Sequence, residues 1–199
     1  MTHDIVSRLK SALDQQGNAS SDFDLNPDTV LPVGRKLRVA GVLIPVLVGR
    51  NVPQVILTKR SSSLKHHPGQ IAFPGGKQDE GDEDVTAAAL REAREEIGLP
   101  DGLAEILGHL PEHETVTSFR VTPVVAILRQ EFNILPEPGE VEEVFSVPLP
   151  HLLDPENYLI ESRWWRGQRR YYFAVPYGPY YIWGATARML RGLADRMQA

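Results

Sequence analysis

Between Gly75 and Leu99 the chain reads GGKQDEGDEDVTAAALREAREEIGL, a glycine turn, an acidic loop and then a helix. The helix is predicted from Asp84 to Ile97. Asp82, Glu83 and Asp84 suit its positive N-terminal end, and Gly98 with Pro100 stops it. Residues three and four apart on a helix share a face, so Glu92, Glu95 and Glu96 project as one cluster of carboxylates. That cluster is unfavourable for folding. The like-charged pair Glu92/Glu96 costs roughly 0.2–0.5 kcal/mol. Exposed acids at a helix C-terminus oppose the dipole at roughly 0.3–1 kcal/mol each. A divalent cation removes both penalties, and hard oxygen donors of this type suit Mg²⁺ or Mn²⁺, ions commonly shared with substrate phosphates.

Of 199 residues, 42% are hydrophobic and 24% charged, the balance of a soluble globular protein, so one domain with an extension is expected. The formal net charge of −5 argues against a nucleic-acid binder, which carries a basic stripe. It leaves a phosphorylated small molecule open as substrate, because local basic residues and a metal offset the acidity. The absence of cysteine excludes disulfides, thiolate catalysis and zinc–thiolate sites, and fits a cytoplasmic setting. The N-terminal stretch lacks the apolar run of a secretory signal. The longest apolar stretch, Val42 to Val48, is broken by Pro45 and too short to span a bilayer, so no membrane association is expected.

Ile5, Val6, Leu9 and Leu13 have helical spacing, which predicts a short amphipathic helix over residues 4–16. Residues 17–35 are rich in Asn, Asp, Ser, Pro and Gly and read as a linker or a wrapping loop. Residues 1–35 are thus an N-terminal extension and residues 36–199 the main domain. Arg38–Val48 and Val55–Leu57 read as strands flanking a turn at Asn51-Val52-Pro53, which predicts a hairpin. Gln70–Phe73, Leu103–Leu110, Val121–Leu128 and Val141–Val147 read as further strands. A short helix is expected at Leu149–Asp154, a hairpin of Tyr158–Trp164 with Arg170–Val175 around Gly167, and a helix over Ala185–Met197. Strands interrupted by few helices predict an α/β (α+β) fold, a mixed sheet with helices on its faces.

The turn, acidic loop and REAREEIG helix resemble the Nudix box, G-x5-E-x7-R-E-U-x-E-E-x-G-U with U apolar. Arg91, Glu92, Ala93, Glu95, Glu96, Gly98 and Leu99 match its second half. Counting back from Arg91 places the first Glu at Glu83, but the spacing from Gly76 is then one residue too long, which leaves Asp82 or Glu83 in the first acidic role. Upstream, LTKRSSSLKHHPGQIAFPGG is similar to the signature of the coenzyme A pyrophosphatase branch of the Nudix hydrolases, approximately L-L-T-x-R-[SA]-x3-R-x3-G-x3-F-P-G-G. Leu57, Thr58, Arg60, Ser61, Gly69, Phe73, Pro74, Gly75 and Gly76 fit, and Lys65 stands where Arg is expected. Lysine keeps the charge but loses the bidentate fork. TSFRVTPVV, EVEEVFSVPL and IWGATARML also look like this branch.

The resemblance implies a Nudix-type α/β/α sandwich and hydrolysis of a nucleoside diphosphate linked to another group. For coenzyme A the products are 3',5'-ADP and 4'-phosphopantetheine. Glu92 and Glu96 are expected to bind the metal, with Glu95 as ligand or base; Glu140 or Glu143 is the alternative base. Arg91 is expected to pair with Glu83. Arg60 and Lys65 read either as solvated charges or as phosphate contacts, and Gly75 with Gly76 as a turn at the substrate. The same chemistry on ADP-ribose, a dinucleotide or an oxidised nucleotide is the near alternative, and a non-catalytic nucleotide sensor a distant one. His66 and His67 read as loop residues, since adjacent histidines chelate poorly. No Ser-His-Asp arrangement is evident. The aromatic residues between Trp164 and Trp183 read chiefly as core or as a homodimer interface, with adenine stacking open.

Overall fold

A computed structural model describes residues 2–49, 51–65, 67–165 and 167–198. His66 lies outside them. The elements in order are α1 (Thr2–Asp14), β1 (Ser20–Ser21), β2 (Arg38–Leu47), β3 (Gln54–Arg60), β4 (Ile71–Ala72), β5 (Gly75–Lys77), α2 (Val85–Ile97), β6 (Ala104–His109) and β7 (His113–Glu114). They continue as β8 (Phe119–Leu128), β9 (Val141–Pro148), α3 (Leu149–Leu153), a 3₁₀ turn (Pro155–Asn157), β10 (Leu159–Trp165), β11 (Gln168–Tyr177), β12 (Tyr180–Trp183) and α4 (Ala185–Gln198).

Strands β1 to β9 form one mixed sheet whose main path runs β1-β7-β8-β2-β3-β4. Its spine is the parallel pairing of β2 with β8 along their whole length, Arg38↔Phe119 to Leu47↔Leu128. The near-continuous apolar runs of these strands follow from burial on both faces. Leu43, Leu47, Ile56, Val124, Ala126 and Leu128 face Ala89, Ala93 and Ile97 of α2. The alternate residues Ile44, Val46, Leu57, Val125 and Ile127 face a larger core shared with Leu9 of α1, Leu149 and Leu152 of α3 and Leu190 and Leu193 of α4. Helices therefore cover both faces, the expected α/β/α sandwich. Pro45 survives inside β2 because of where its missing N–H would point. Leu43 N–H, of the same parity, donates to Pro74 O. Pro45 falls between the stretch of β2 paired to β5 (Ala40–Val42) and that paired to β3 (Val46–Leu47), so no ladder bond is lost.

The hairpins at β2/β3 and β10/β11 form as expected. β12 joins β10 and β11 in a separate three-stranded sheet that the sequence did not announce. Of the two readings for residues 17–35, the contacts of residues 20–26 match the wrapping loop. β1 pairs in parallel with β7. Buried His113 bonds Ser20 Oγ (2.9 Å) and Asp22 Oδ1 (3.2 Å), and Asp22 Oδ2 accepts Val116 N–H (2.8 Å). Asn26 bonds both N–H and C=O of Tyr171, and Arg188 of α4 donates to Asp24. The Ser-His-Asp contact thus ties the segment down; with no exposed surface, His113 meets no substrate.

Candidate active site

Helix α2 has a defined start and stop. Asp84 Oδ1 accepts Ala87 N–H at 2.8 Å. Gly98, at φ +71°, donates to Arg94 O (3.1 Å) while Leu99 donates to Ala93 O (3.3 Å), which satisfies the last carbonyls. Ala88, Ala89, Ala93 and Ile97 are buried. Close seating of the first turn needs Gly41 on β2, because a Cβ there would lie 2.0 Å from Val85 O. With that face fixed, Glu92, Glu95 and Glu96 turn towards β5 and the loop before α2.

The three glutamates occupy different environments. Glu95 is exposed, Glu92 half-buried and Glu96 only 5% exposed. Glu96 Oε2 accepts Gly75 N–H at 3.1 Å. Burial pushes the Glu96 carboxyl up to about 7; the charges of Glu92 and Glu140 add to this, while Gly75 N–H and the Arg60 charge oppose it. Burial also raises Glu92, against the pull of Arg91. Gly76 faces Glu92 so closely that a Cβ would lie 2.6 Å from its carboxylate. Gly75, at φ +151°, lies flat on β2, where a Cβ would come within 2.5 Å of Gly41 O. Both glycines therefore act first as clearance for backbone and carboxylate.

Arg91 holds the cluster. It pairs with Asp82, not with Glu83. Its Nε and Nη2 reach the two Asp82 oxygens at 3.0 Å each. Nη1 reaches Glu92 Oε1 (2.8 Å) and Glu95 Oε2 (3.2 Å), and Nη2 also donates to Lys77 O (3.1 Å). These partners raise the Arg91 pKa and lower that of Asp82. The cause is the loop. Asp82 N–H donates to Asp79 O and Asp82 Oδ2 accepts Asp79 N–H, so a tight turn aims Asp82 inward, while exposed Glu83 precedes the capping residue Asp84. Counting five residues from Gly76 instead of back from Arg91 finds Asp82.

The two later candidate bases separate. Glu140 lies close enough for its charge to act on both Glu92 and Glu96. Glu143 does not join them. The β3/β9 register shifts between Lys59 and Arg60, and Glu143 falls on the face of Phe145, opposite α2. There it accepts the Tyr180 hydroxyl at 2.6 Å, beside the stacked rings of Phe145 and Tyr180. Glu142, between them, pairs with Lys59 (2.6 Å). Arg60 is half-buried at the end of β3, and Lys65 is exposed on the following loop.

The residues suit a divalent ion. The donors are all carboxylate oxygens, burial holds Glu92 and Glu96 above their ordinary pKa, and Gly76 keeps a cradle that a side chain would fill. Among the described residues no three acidic or imidazole groups already close on one point, since Glu92 and Glu95 are drawn to Arg91.

A family model for the NUDIX domain matches residues 37–167. The chain belongs to the Nudix hydrolases. It is 44% identical over 157 residues to a protein named uncharacterized Nudix hydrolase NudL from Enterobacter sp. (strain 638), covering 79% of this chain and 81% of the relative. The protein of that name from Escherichia coli O1:K1 is 42% identical over the same length and coverage. The MutT protein of Methanosarcina mazei Go1 shares the fold at TM-score 0.53 and 19% identity, over 84% of this chain and 99% of that one. The MutT/nudix family protein of Enterococcus faecalis gives 0.52 and 14%, over 86% and 66%. This Nudix chain is accordingly a pyrophosphatase, a hydrolase of phosphoric anhydrides. Among its described residues no helix is long and apolar enough to cross a membrane.

Proposed function

We propose that this Nudix hydrolase cleaves the diphosphate of coenzyme A or its thioesters, releasing 3',5'-ADP and 4'-phosphopantetheine or its acyl derivative, with Mg²⁺ or Mn²⁺ as cofactor and the reducing cytoplasm as its setting. One observation carries the reading. The segment from Leu57 to Gly76 that resembles the coenzyme A branch opens onto the carboxylates themselves: Gly75 N–H bonds Glu96, and the Arg60 charge reaches Glu96.

Glu92, Glu95 and Glu96 would hold the ion, while Asp82 would keep the guanidinium of Arg91. The ion would supply positive charge to the diphosphate oxygens and would acidify an attacking water. Glu140 stands beside the cluster and takes the proton of the attacking water. Arg60 supplies positive charge to the diphosphate, the backbone at Gly75 and Gly76 leaves room for it, and Lys65, exposed on the loop, reads the 3'-phosphate of the substrate. Intact carboxylates favour a catalyst over a sensor.

A substrate panel with Mg²⁺ tests this. Coenzyme A should release 3',5'-ADP faster than ADP-ribose, a dinucleotide or an oxidised nucleotide is cleaved; equal or faster turnover of one of these transfers the assignment to it. Lys65→Ala should raise KM for coenzyme A more than for dephospho-coenzyme A, and an equal rise for both removes Lys65 from the 3'-phosphate.

A further inference from the structure

The second sheet ends in a strand that nothing among the described residues covers. β10 pairs with β11 alone. Six of its seven residues are exposed, including Ile160 at 59% and Trp164 at 75%. Edge strands are ordinarily guarded by charged side chains, proline or a covering loop; β10 has no proline, and its two charges, Glu161 and Arg163, are of opposite sign and so can pair across a second copy.

The direction of its backbone groups can be read from β11. Tyr171 gives both its N–H and its C=O to Asn26, and Phe173 O accepts Gly184 N–H, so both residues point away from β10. Their partners across the ladder are Ser162 and Ile160. In an antiparallel pair the two opposed residues either both bond each other or both point outward. Ile160, Ser162 and, by alternation, Trp164 therefore offer N–H and C=O at the free edge.

We propose that this edge pairs antiparallel with β10 of a second copy of the chain about a two-fold axis at Ser162, making one six-stranded sheet. The sequence is self-complementary in that register. Ser162 opposes itself and Ile160 opposes Trp164 on one face, and Leu159 opposes Trp165 on the other. Glu161 opposes Arg163 twice, once on each side of the axis. Glu161 and Arg163 already share a face with the aromatic ring of Trp183, over which Arg163 lies at 4.3 Å. The outward pairs Ile160/Trp164 and Ser162/Ser162 then supply about six backbone hydrogen bonds. Moving the axis to Ile160 or Trp164 keeps outward groups opposed but separates Glu161 from Arg163, so charge selects the register. A closed two-fold contact of this kind buries the same patch on both copies and leaves no open edge.

The experiment is a charge swap on the full-length protein. Light scattering after gel filtration should give the wild type twice the 22.2 kDa chain mass at high micromolar concentration. Glu161→Arg and Arg163→Glu each set like charges opposite one another twice, and each should weaken dimerisation by roughly tenfold or more. An equimolar mixture of the two variants restores both attractive pairs and should form a heterodimer in native mass spectrometry. The double variant carrying both changes should dimerise like the wild type. Hydrolysis rates should not change, since neither residue belongs to the active site. A wild type that runs as a monomer, single variants that dimerise undiminished, or a mixture that fails to heterodimerise each overturns the proposal.

Discussion

Replacing Glu96 by Gln tests whether the active-site carboxylate strains the fold. Glu96 is almost fully buried, and its carboxyl is pushed up to about 7 from 4.5. An acid whose folded pKa exceeds its unfolded value favours folding while protonated. Its contribution is whole below pH 4.5 and disappears as pH climbs through about 7. At about 1.4 kcal/mol per pH unit, that gap is worth about 3 kcal/mol in the metal-free protein. Gln keeps the acceptor for Gly75 N–H and cannot ionise. In EDTA at pH 8 the variant should therefore be the more stable by up to about 3 kcal/mol, or roughly 6–12 °C in Tm for a chain of this size. At pH 4.5 the two proteins should melt together. Millimolar Mn²⁺ at pH 8 should raise the wild-type Tm well above its effect on the variant, whose turnover should fall by orders of magnitude. Equal melting temperatures in EDTA at both pH values would refute the link between burial, charge and folding cost.

Asp82→Asn should slow turnover and lower Tm by a few degrees, because it breaks the two-pronged grip on Arg91, whereas Glu83→Gln should change stability by less than about 0.5 kcal/mol; thermal melts and initial rates decide between the two residues. Gly76→Ala drives a methyl group into the Glu92 carboxylate and should cost about a hundredfold in kcat/KM while the far-UV spectrum is unchanged. Gly81→Ala, with nothing near its Cβ, is the matched control. Glu140→Gln should lower kcat by roughly 10²–10⁴, while Glu143→Gln should leave kcat within about twofold of the wild type. An unchanged kcat in Glu140→Gln would return the base to Glu95.

The site was legible where geometry is local. Helical spacing alone groups Glu92, Glu95 and Glu96, and the long apolar runs of β2 and β8 declare buried strands. Asp82 was not legible, because the choice between it and Glu83 depends on how Asp84 caps the helix and how Asp79 closes the loop. Glu140 and Glu143 could not be separated from sequence, since Glu140 lies in the turn before β9, outside the strand's alternation, while Glu143 lies within the strand. The two-residue strands β1 and β7 are too short to carry an alternation. β12 was hidden in a run of aromatic residues that reads equally as core, interface or ligand platform.

The fastening of residues 20–26 bears on how small an active piece of this protein can be made. The family model covers residues 37–167, yet a fragment cut to those limits would end in the turn between β10 and β11 and forfeit α4. It would also lose Ser20, Asp22, Asp24 and Asn26, whose stitches reach β7, α4 and β11 in turn. Recombinant trimming should instead keep both ends, because the stretch preceding the motif acts as the thread that binds the hydrolase's layers into one book.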